Sequence, residues 1–448
     1  MQIARYFGKF TGRLAGSAAL LSMAFIGGVT FNDLHQVKNA NTLGTVLGMV
    51  PQRLSDAMIT AAHGQSEAYT PSQTYADVLT TLKAGYYGKE IDPTQMTYNG
   101  IRGMMGAIHD RYTRFMDPKA YKALEDDNHG DFVGIGALLG TNKLQQIYVV
   151  RPLPGGPAIK AKIMAGDIIL KVDSKSTLKM KDTEVVGLIR GEPNTKVTLT
   201  LQRGTQPVVI SLIRAHVQQE VVRHTMIDPV KKIGYISLSV FNEESDVQIG
   251  KALTDLEGQG MRGLVFDLRE NPGGLLDIAR SIASRFVPSG PIVWIKDKSE
   301  TAETMEHLDV DTSQQLNHKR FPLVVLVNGD SASAAEIVSG AIKDTGVGVL
   351  VGEKTFGKGL VQTIMGLPDG SAVAITTQHY YTAHKNDINH KGILPNFPVT
   401  IPDDNLRKDA VYRRDHPDAL YDVQFDTQLQ TALTQLKLQM QVASAKPW

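Results

Sequence analysis

Three short, predominantly apolar runs, Gly263–Leu268, Phe321–Asn328 and Val347–Val351, limit what this chain can fold into. Continuous rather than alternating hydrophobicity marks strands covered on both faces, as in a mostly parallel sheet with helices on each side. Helical periodicity follows two of the runs, over Leu275–Phe286 and Ala334–Lys343. Ile236, Leu238 and Val240 alternate with Ser237 and Ser239 as a further strand, so residues 225–400 are predicted to alternate strand and helix. Sheets of this kind place their sites at the carboxyl ends of the strands, so the turns after the runs are where chemistry is expected.

The turn after the second run reads Asp330-Ser331-Ala332-Ser333-Ala334-Ala335-Glu336-Ile337. Ser333 stands at a helix N-terminus, where unpaired N–H groups and the positive end of the helix dipole stabilise a developing oxyanion, with the Ala334 amide as donor. The plain alternative is that Ser331 or Ser333 caps the helix. Lys358, in Thr355-Phe-Gly-Lys-Gly359, follows Ser333 by 25 residues. A lysine deprotonates a serine only if burial or a neighbouring cation lowers its pKa. Phe356, Gly357, Gly359 and Leu360 beside it are uncharged, and Lys354 lies four residues upstream. Gly352–Lys358 also fits the phosphate-cradling pattern G-x-x-x-x-G-K, but Gly359 replaces the required hydroxyl residue and Leu360–Gly370 reads as strand and turn. Nucleotide binding is therefore rejected.

With both motifs in view, the chain resembles the carboxy-terminal processing, or tail-specific, peptidases. Asp110-Arg-Tyr-Thr-Arg-Phe-Met-Asp-Pro118, Val265-Phe-Asp-Leu-Arg-Glu-Asn-Pro-Gly-Gly-Leu-Leu276 and Gly392-Ile-Leu-Pro395 extend the likeness over roughly residues 75–435. The resemblance implies a serine endopeptidase with Ser333 as nucleophile, Lys358 as general base and Gln362 orienting the lysine. It assigns the oxyanion hole to the amide of Ala334 with that of Gly273 or Gly274. The chain departs from the family pattern at Asp330, Ala335 and Arg111. A carboxylate at Asp330 would favour charged lysine and oppose catalysis. Asp330 and Ala335, beside the candidate nucleophile, motivate the alternative of a catalytically inactive PDZ scaffold on a degenerate protease body. A Ser-His-Asp arrangement drawing on a distant residue such as His379, and a hydratase-like acyl enzyme of the crotonase type, are weaker alternatives.

Residues 131–216 change to short strands separated by Gly, Pro and Asn turns: Phe132–Leu139, Gln146–Val150, Ala165–Val172 and Lys196–Gln202, with a helix over Asp182–Arg190. This segment resembles a PDZ module, which implies that Gly134, Ile135 and Gly136 bind a peptide's terminal carboxylate while the peptide adds as a strand. Alone, a G-x-G triplet is more often a simple turn.

The implied fold is α+β and multidomain: a helical N-terminal element (75–130), a PDZ-like β-rich module (131–216) and a crotonase-like α/β serine protease core (217–400). A tail (401–448) follows, with an amphipathic helix from Asp426 whose apolar positions are 429, 432, 433, 436 and 438. That helix is expected either to pack on the body or to form a dimer contact. Arg5, Lys9 and Arg13 precede an apolar stretch, Leu14–Phe31, so residues 1–31 read as a signal sequence or membrane anchor and 32–74 as a linker. The expected place is the periplasmic side of a bacterial envelope, anchored to the inner membrane. A formal charge of +1 from 47 basic and 46 acidic residues gives no footprint for nucleic acid. The absence of cysteine excludes disulfides and thiolate catalysis, and the 12 histidines form no metal motif, so neither metal nor cofactor is expected. Partners are proteins or peptides with free C-termini, and the family adds a homodimer or higher oligomer and a regulatory adaptor.

Overall fold

The computed structural model describes residues 70–445 except 143, 154, 299–304, 316–320, 416–418 and 421–422. The signal or anchor segment 1–31 lies outside the described residues. Among the described residues no helix is long and apolar enough to cross a membrane. The chain divides into two compact units at Arg111, within the segment read as one helical element. In the first unit, α1 (Pro71–Gly85) begins inside the expected linker. Thr70 accepts from the Gln73 amide, Gln73 accepts from the Thr70 amide at 2.8 Å, and Pro71 occupies the first turn. Helix α2 (Pro93–Gly106) starts on Asp92, whose Oδ1 accepts the Thr94 and Gln95 amides.

The second unit opens with β1 (Arg114–Met116) and α3 (Pro118–His129). The β-rich module follows as β2 (Asp131–Gly134), β3 (Ala137–Thr141), β4 (Ile147–Pro152), α4 (Pro157–Lys160), β5 (Ile168–Val172), β6 (Lys175–Ser176), α5 (Asp182–Ile189), β7 (Lys196–Arg203), β8 (Gln206–Ile213) and β9 (Ala215–Gln218). Its sheet runs β3-β4-β5-β7-β8, with β6 on β5, while β2 pairs with β9 in a separate two-stranded ribbon. The strand expected over 132–139 is therefore broken at Ile135–Gly136. Ile135 buries its side chain in the module core, and Gly136 turns the backbone at φ 70°.

The body comprises β10 (Val222–Asp228), β11 (Ile233–Leu238), α6 (Glu243–Gly258), β12 (Gly263–Asp267), α7 (Leu276–Ser284), β13 (Pro291–Asp297), β14 (Glu306–Asp309), β15 (Leu323–Val327), α8 (Ala334–Asp344), β16 (Val349–Gly352), β17 (Leu360–Gly366), β18 (Ala372–Tyr381) and β19 (Phe397–Pro398). Helices α9 (Asp403–Asp415) and α10 (Thr427–Ala445) close the chain. The main sheet runs β10-β11-β12-β15-β16-β19 and is parallel from β11 onward. Side chains alternate across it. Leu264, Phe266, Val325, Val327 and Leu350 face the core shared with α6, α7 and α8, whereas Val265, Val324, Leu326 and Val351 meet Leu429, Ala432 and Leu436 of α10. Helices on both faces explain why these strands are apolar on both faces, with Asp267 at the end of β12 the charged exception. An antiparallel sheet of β1, β18, β13 and β14, with β17 on β18, completes the body.

Candidate active site

Three neighbouring parallel strands deliver the candidate groups to one edge of the main sheet. The glycine turn leaves the end of β12, the serine turn the end of β15 and the lysine loop the end of β16. Register fixes their adjacency: Asp267 pairs with Leu326, and Val327 with Gly352. This is the carboxyl edge at which the sequence placed the site.

Ser333 precedes α8 with φ 53° and ψ −115°, backbone that a residue with a Cβ rarely adopts, and its hydroxyl makes no capping bond. Its neighbour is used differently. The Ser331 hydroxyl donates to the Leu268 carbonyl at 2.8 Å and accepts the Asn328 amide at 2.9 Å, in a fully buried position. The glycine turn touches Ser333 directly, since a Cβ on Gly273 would lie 2.7 Å from the Ser333 Cβ, and the turn needs φ 98° at Gly273 and 145° at Gly274. Asn271 holds the turn in place: its side chain donates to the Leu238 carbonyl and accepts the Gly273 amide at 2.8 Å, and its carbonyl accepts the Ala332 amide. The Gly273 N–H is thus engaged. Among the described residues the amides of Gly274 and Ala334 have no partner, and Gly274 is exposed.

Glu336, fully buried one turn into α8, joins the serine turn to the lysine loop. Its Oε2 accepts the Ser333 amide at 3.0 Å and the Lys358 amide at 2.9 Å, while Oε1 accepts the Thr355 hydroxyl at 2.6 Å and the Gly357 amide at 2.7 Å. Burial pushes the carboxyl pKa up, opposed by these four bonds. Thr355 is held in turn by Ile393, whose amide donates to its hydroxyl, so the Gly392–Pro395 element braces the loop. The Lys358 carbonyl accepts the hydroxyl of the buried Tyr380. Burial, then the Glu336 charge, raises the Tyr380 pKa well above the usual phenol value, against a hydrogen bond with Ser333. The Lys358 ammonium lies 4.8 Å from the centre of the Tyr112 ring. Gln362 donates to Thr376 Oγ1 at 3.5 Å across the β17–β18 pair. His379 bonds Asp387 at 2.9 Å, and Asp387 also takes Lys391.

Of the departures from the family pattern, Ala335 is buried in the core and Asp330 is exposed, with its amide on Asn328 Oδ1. Glu336, Asn271, Thr355 and Tyr380 escaped the sequence reading. The spacing Ser333-x-x-Glu336 is a capping-box signal for the first of them. Gly134, Ile135 and Gly136 lie at the break between β2 and β3 on the β-rich module, where the carbonyls of Ile135 and Gly136 accept the amides of Ala158 and Leu153. Beside them β3 is an edge strand of its sheet, with α5 alongside.

Residues 232–399 match peptidase family S41 and residues 148–203 match a PDZ domain. A carboxyl-terminal-processing protease of Synechocystis sp. is 35% identical over 326 residues, covering 72% of this chain and 75% of its own. The carboxy-terminal processing protease CtpA of Bacillus subtilis is 36% identical over 324 residues, covering 72% and 67%. A solved structure described as an S41 protease, from Bacteroides fragilis, superposes with a TM-score of 0.52 at 16% identity over 84% of this chain and all of that one.

Proposed function

Because the chain belongs to peptidase family S41, as a carboxyl-terminal processing serine protease with a PDZ domain, we propose that it cleaves exported proteins through an acyl-enzyme formed on Ser333. The Ser333 oxygen attacks the scissile carbonyl carbon and its proton passes to a neutral Lys358 amine. The amides of Gly274 and Ala334 receive the oxyanion, Gly274 being favoured over Gly273 because Asn271 engages the latter. The lysine returns its proton to the leaving amine, then takes one from the water that attacks the acyl carbon. Gln362, on β17 four residues after Lys358, is assigned to orient the lysine. Substrate C-termini are captured at Gly134–Gly136 while the peptide extends the β3 edge. Anchorage on the periplasmic side of a bacterial envelope is proposed from the basic and apolar order of residues 5–31.

The observation that carries this reading is the convergence of the three turns on Ser333, whose hydroxyl is not spent on capping the helix. Replacing Ser333 or Lys358 by Ala is expected to lower peptide cleavage by at least about a thousandfold with an unchanged circular dichroism spectrum. Cleavage retained by purified Ser333→Ala protein would overturn the assignment.

A further inference from the structure

The chain between β12 and the glycine turn carries a buried charge cluster that the chemistry above does not use. Alternation puts Asp267 and Arg269 on the sheet face covered by α10, beyond Val265. Arg269 grips Asp267 through Nε at 3.0 Å and Nη2 at 2.6 Å, and the Tyr235 hydroxyl donates to the same carboxylate at 2.7 Å. On its other side the guanidinium meets the start of α10. Nη2 lies 2.8 Å from Asp426 Oδ2 as an ion pair, and Nη1 donates to Gln428 Oε1 at 3.1 Å. Asp426 also caps α10 by accepting the Leu429 amide at 2.8 Å. Asp267, Asp426, Gln428 and Tyr235 are all buried, and the Arg269 side chain is 11% exposed.

Such a cluster is a poor way to dock a helix that already buries Leu429, Ala432 and Leu436. Buried ion pairs give little net stability over apolar packing, but they fix orientation. What they fix here is the segment leading into the oxyanion turn. The Leu268 carbonyl accepts the Ser331 hydroxyl, the Glu270 amide donates to Asn328 Oδ1 at 3.0 Å, and the Asn271 carbonyl accepts the Ala332 amide at 2.9 Å. Arg269 is in the middle of that segment, anchored to a helix more than 150 residues away in sequence.

We propose that Asp426 and Gln428, at the start of the C-terminal helix, are positioning residues for the oxyanion turn, acting through Arg269. The inference rests on the reading of Gly274 and Ala334 as oxyanion donors. An intact C-terminal helix thereby becomes a requirement for transition-state binding as well as for folding.

The test uses full-length Asp426→Asn, with kcat and KM on a peptide substrate, the Ki of a peptide boronate whose tetrahedral adduct loads the oxyanion donors, and the thermal midpoint. The expected result is a fall in kcat of about tenfold or more with KM held within about twofold, and a boronate Ki that rises in step with the loss of kcat/KM. Leu436→Ala, which loosens the helix without touching the charged atoms, is expected to lower the thermal midpoint while leaving kcat intact well below it. Wild-type kcat and boronate Ki in Asp426→Asn overturn the proposal, as does an equal loss of kcat in Leu436→Ala. Should Asp426→Asn fail to fold, Gln428→Leu removes a neutral bond to the same guanidinium, and an unchanged kcat there overturns the proposal. Cleavage by Ser333→Ala protein would strike down the protease reading itself. Ser333-dependent cleavage unaffected by Asp426→Asn strikes down this inference alone.

Discussion

The Ser331 hydroxyl is enclosed between the Leu268 carbonyl and the Asn328 amide, whereas the Ser333 hydroxyl stands on a strained residue beside Gly273 and Tyr380. The two side chains are chemically identical, so replacing each separates structure from chemistry. Ser331→Ala leaves a buried carbonyl and a partly buried amide short of a partner, and is expected to cost about 1–3 kcal/mol in urea denaturation. Labelling of Ser333 by a fluorophosphonate probe should survive that change. Loss of labelling in a folded Ser331→Ala protein would show that the two serines share a role. The spacing of Ser333 to Lys358 was legible in the sequence because the family motif fixes it. Glu336 was not, since a glutamate three residues after a serine signals a helix cap, and only the folded chain brings Thr355, Gly357 and Lys358 to its second oxygen and to the rest of the first.

At the scale of elements, the break between β2 and β3 is the feature that periodicity hid. Phe132–Leu139 carries apolar residues throughout, and two glycines do not announce where the chain must turn. The structure turns it at Gly136, where φ is 70° and an added Cβ would approach the Gly156 Cα to 2.9 Å. Gly136→Val is therefore strained for both backbone and space. Its expected effect is a loss of about tenfold or more in affinity for a peptide with a free C-terminus, with Ser333 labelling unchanged. A C-terminally amidated peptide should bind the wild-type protein with a similar deficit in fluorescence anisotropy. Equal affinity for the free and amidated peptides would remove Gly134–Gly136 from carboxylate recognition. The C-terminal helix was legible as amphipathic, but its partner was not. Positions 429, 432 and 436 are buried on the main sheet while Leu438 is half exposed, so the packing alternative describes this face.

Across the whole molecule, the charge cluster around Arg269 links the two ends of the body, and its protonation should be felt in global stability. Burial alone would raise the Asp267 pKa, but the Arg269 charge and the hydrogen bonds it receives outweigh burial and hold it below the usual carboxylate range. A carboxylate depressed in the folded state stabilises the fold above its unfolded pKa of about 3.9, and that contribution disappears as pH falls toward the folded value. Asp267→Asn is expected to cost about 3–5 kcal/mol at neutral pH by leaving the guanidinium under-compensated. The gap between variant and wild type in urea midpoints should narrow below about pH 4, and a gap independent of pH would refute the linkage. By itself the sequence determined the strand-helix alternation, the parallel body, the PDZ-like module and the serine, lysine and glycine motifs. The alternation and the parallel body depend on hydrophobic period, which acts over a few neighbouring residues, whereas the PDZ-like module and the roles of the three motifs were legible through their resemblance to a known family. Tertiary structure alone decided which glycine amide is already engaged, which serine is walled in, what the buried glutamate holds together and which face the last helix covers. Each of those outcomes depends on pairing among β12, β15 and β16 or on contacts between segments far apart in the chain, and a single sequence without its fold records no such distance.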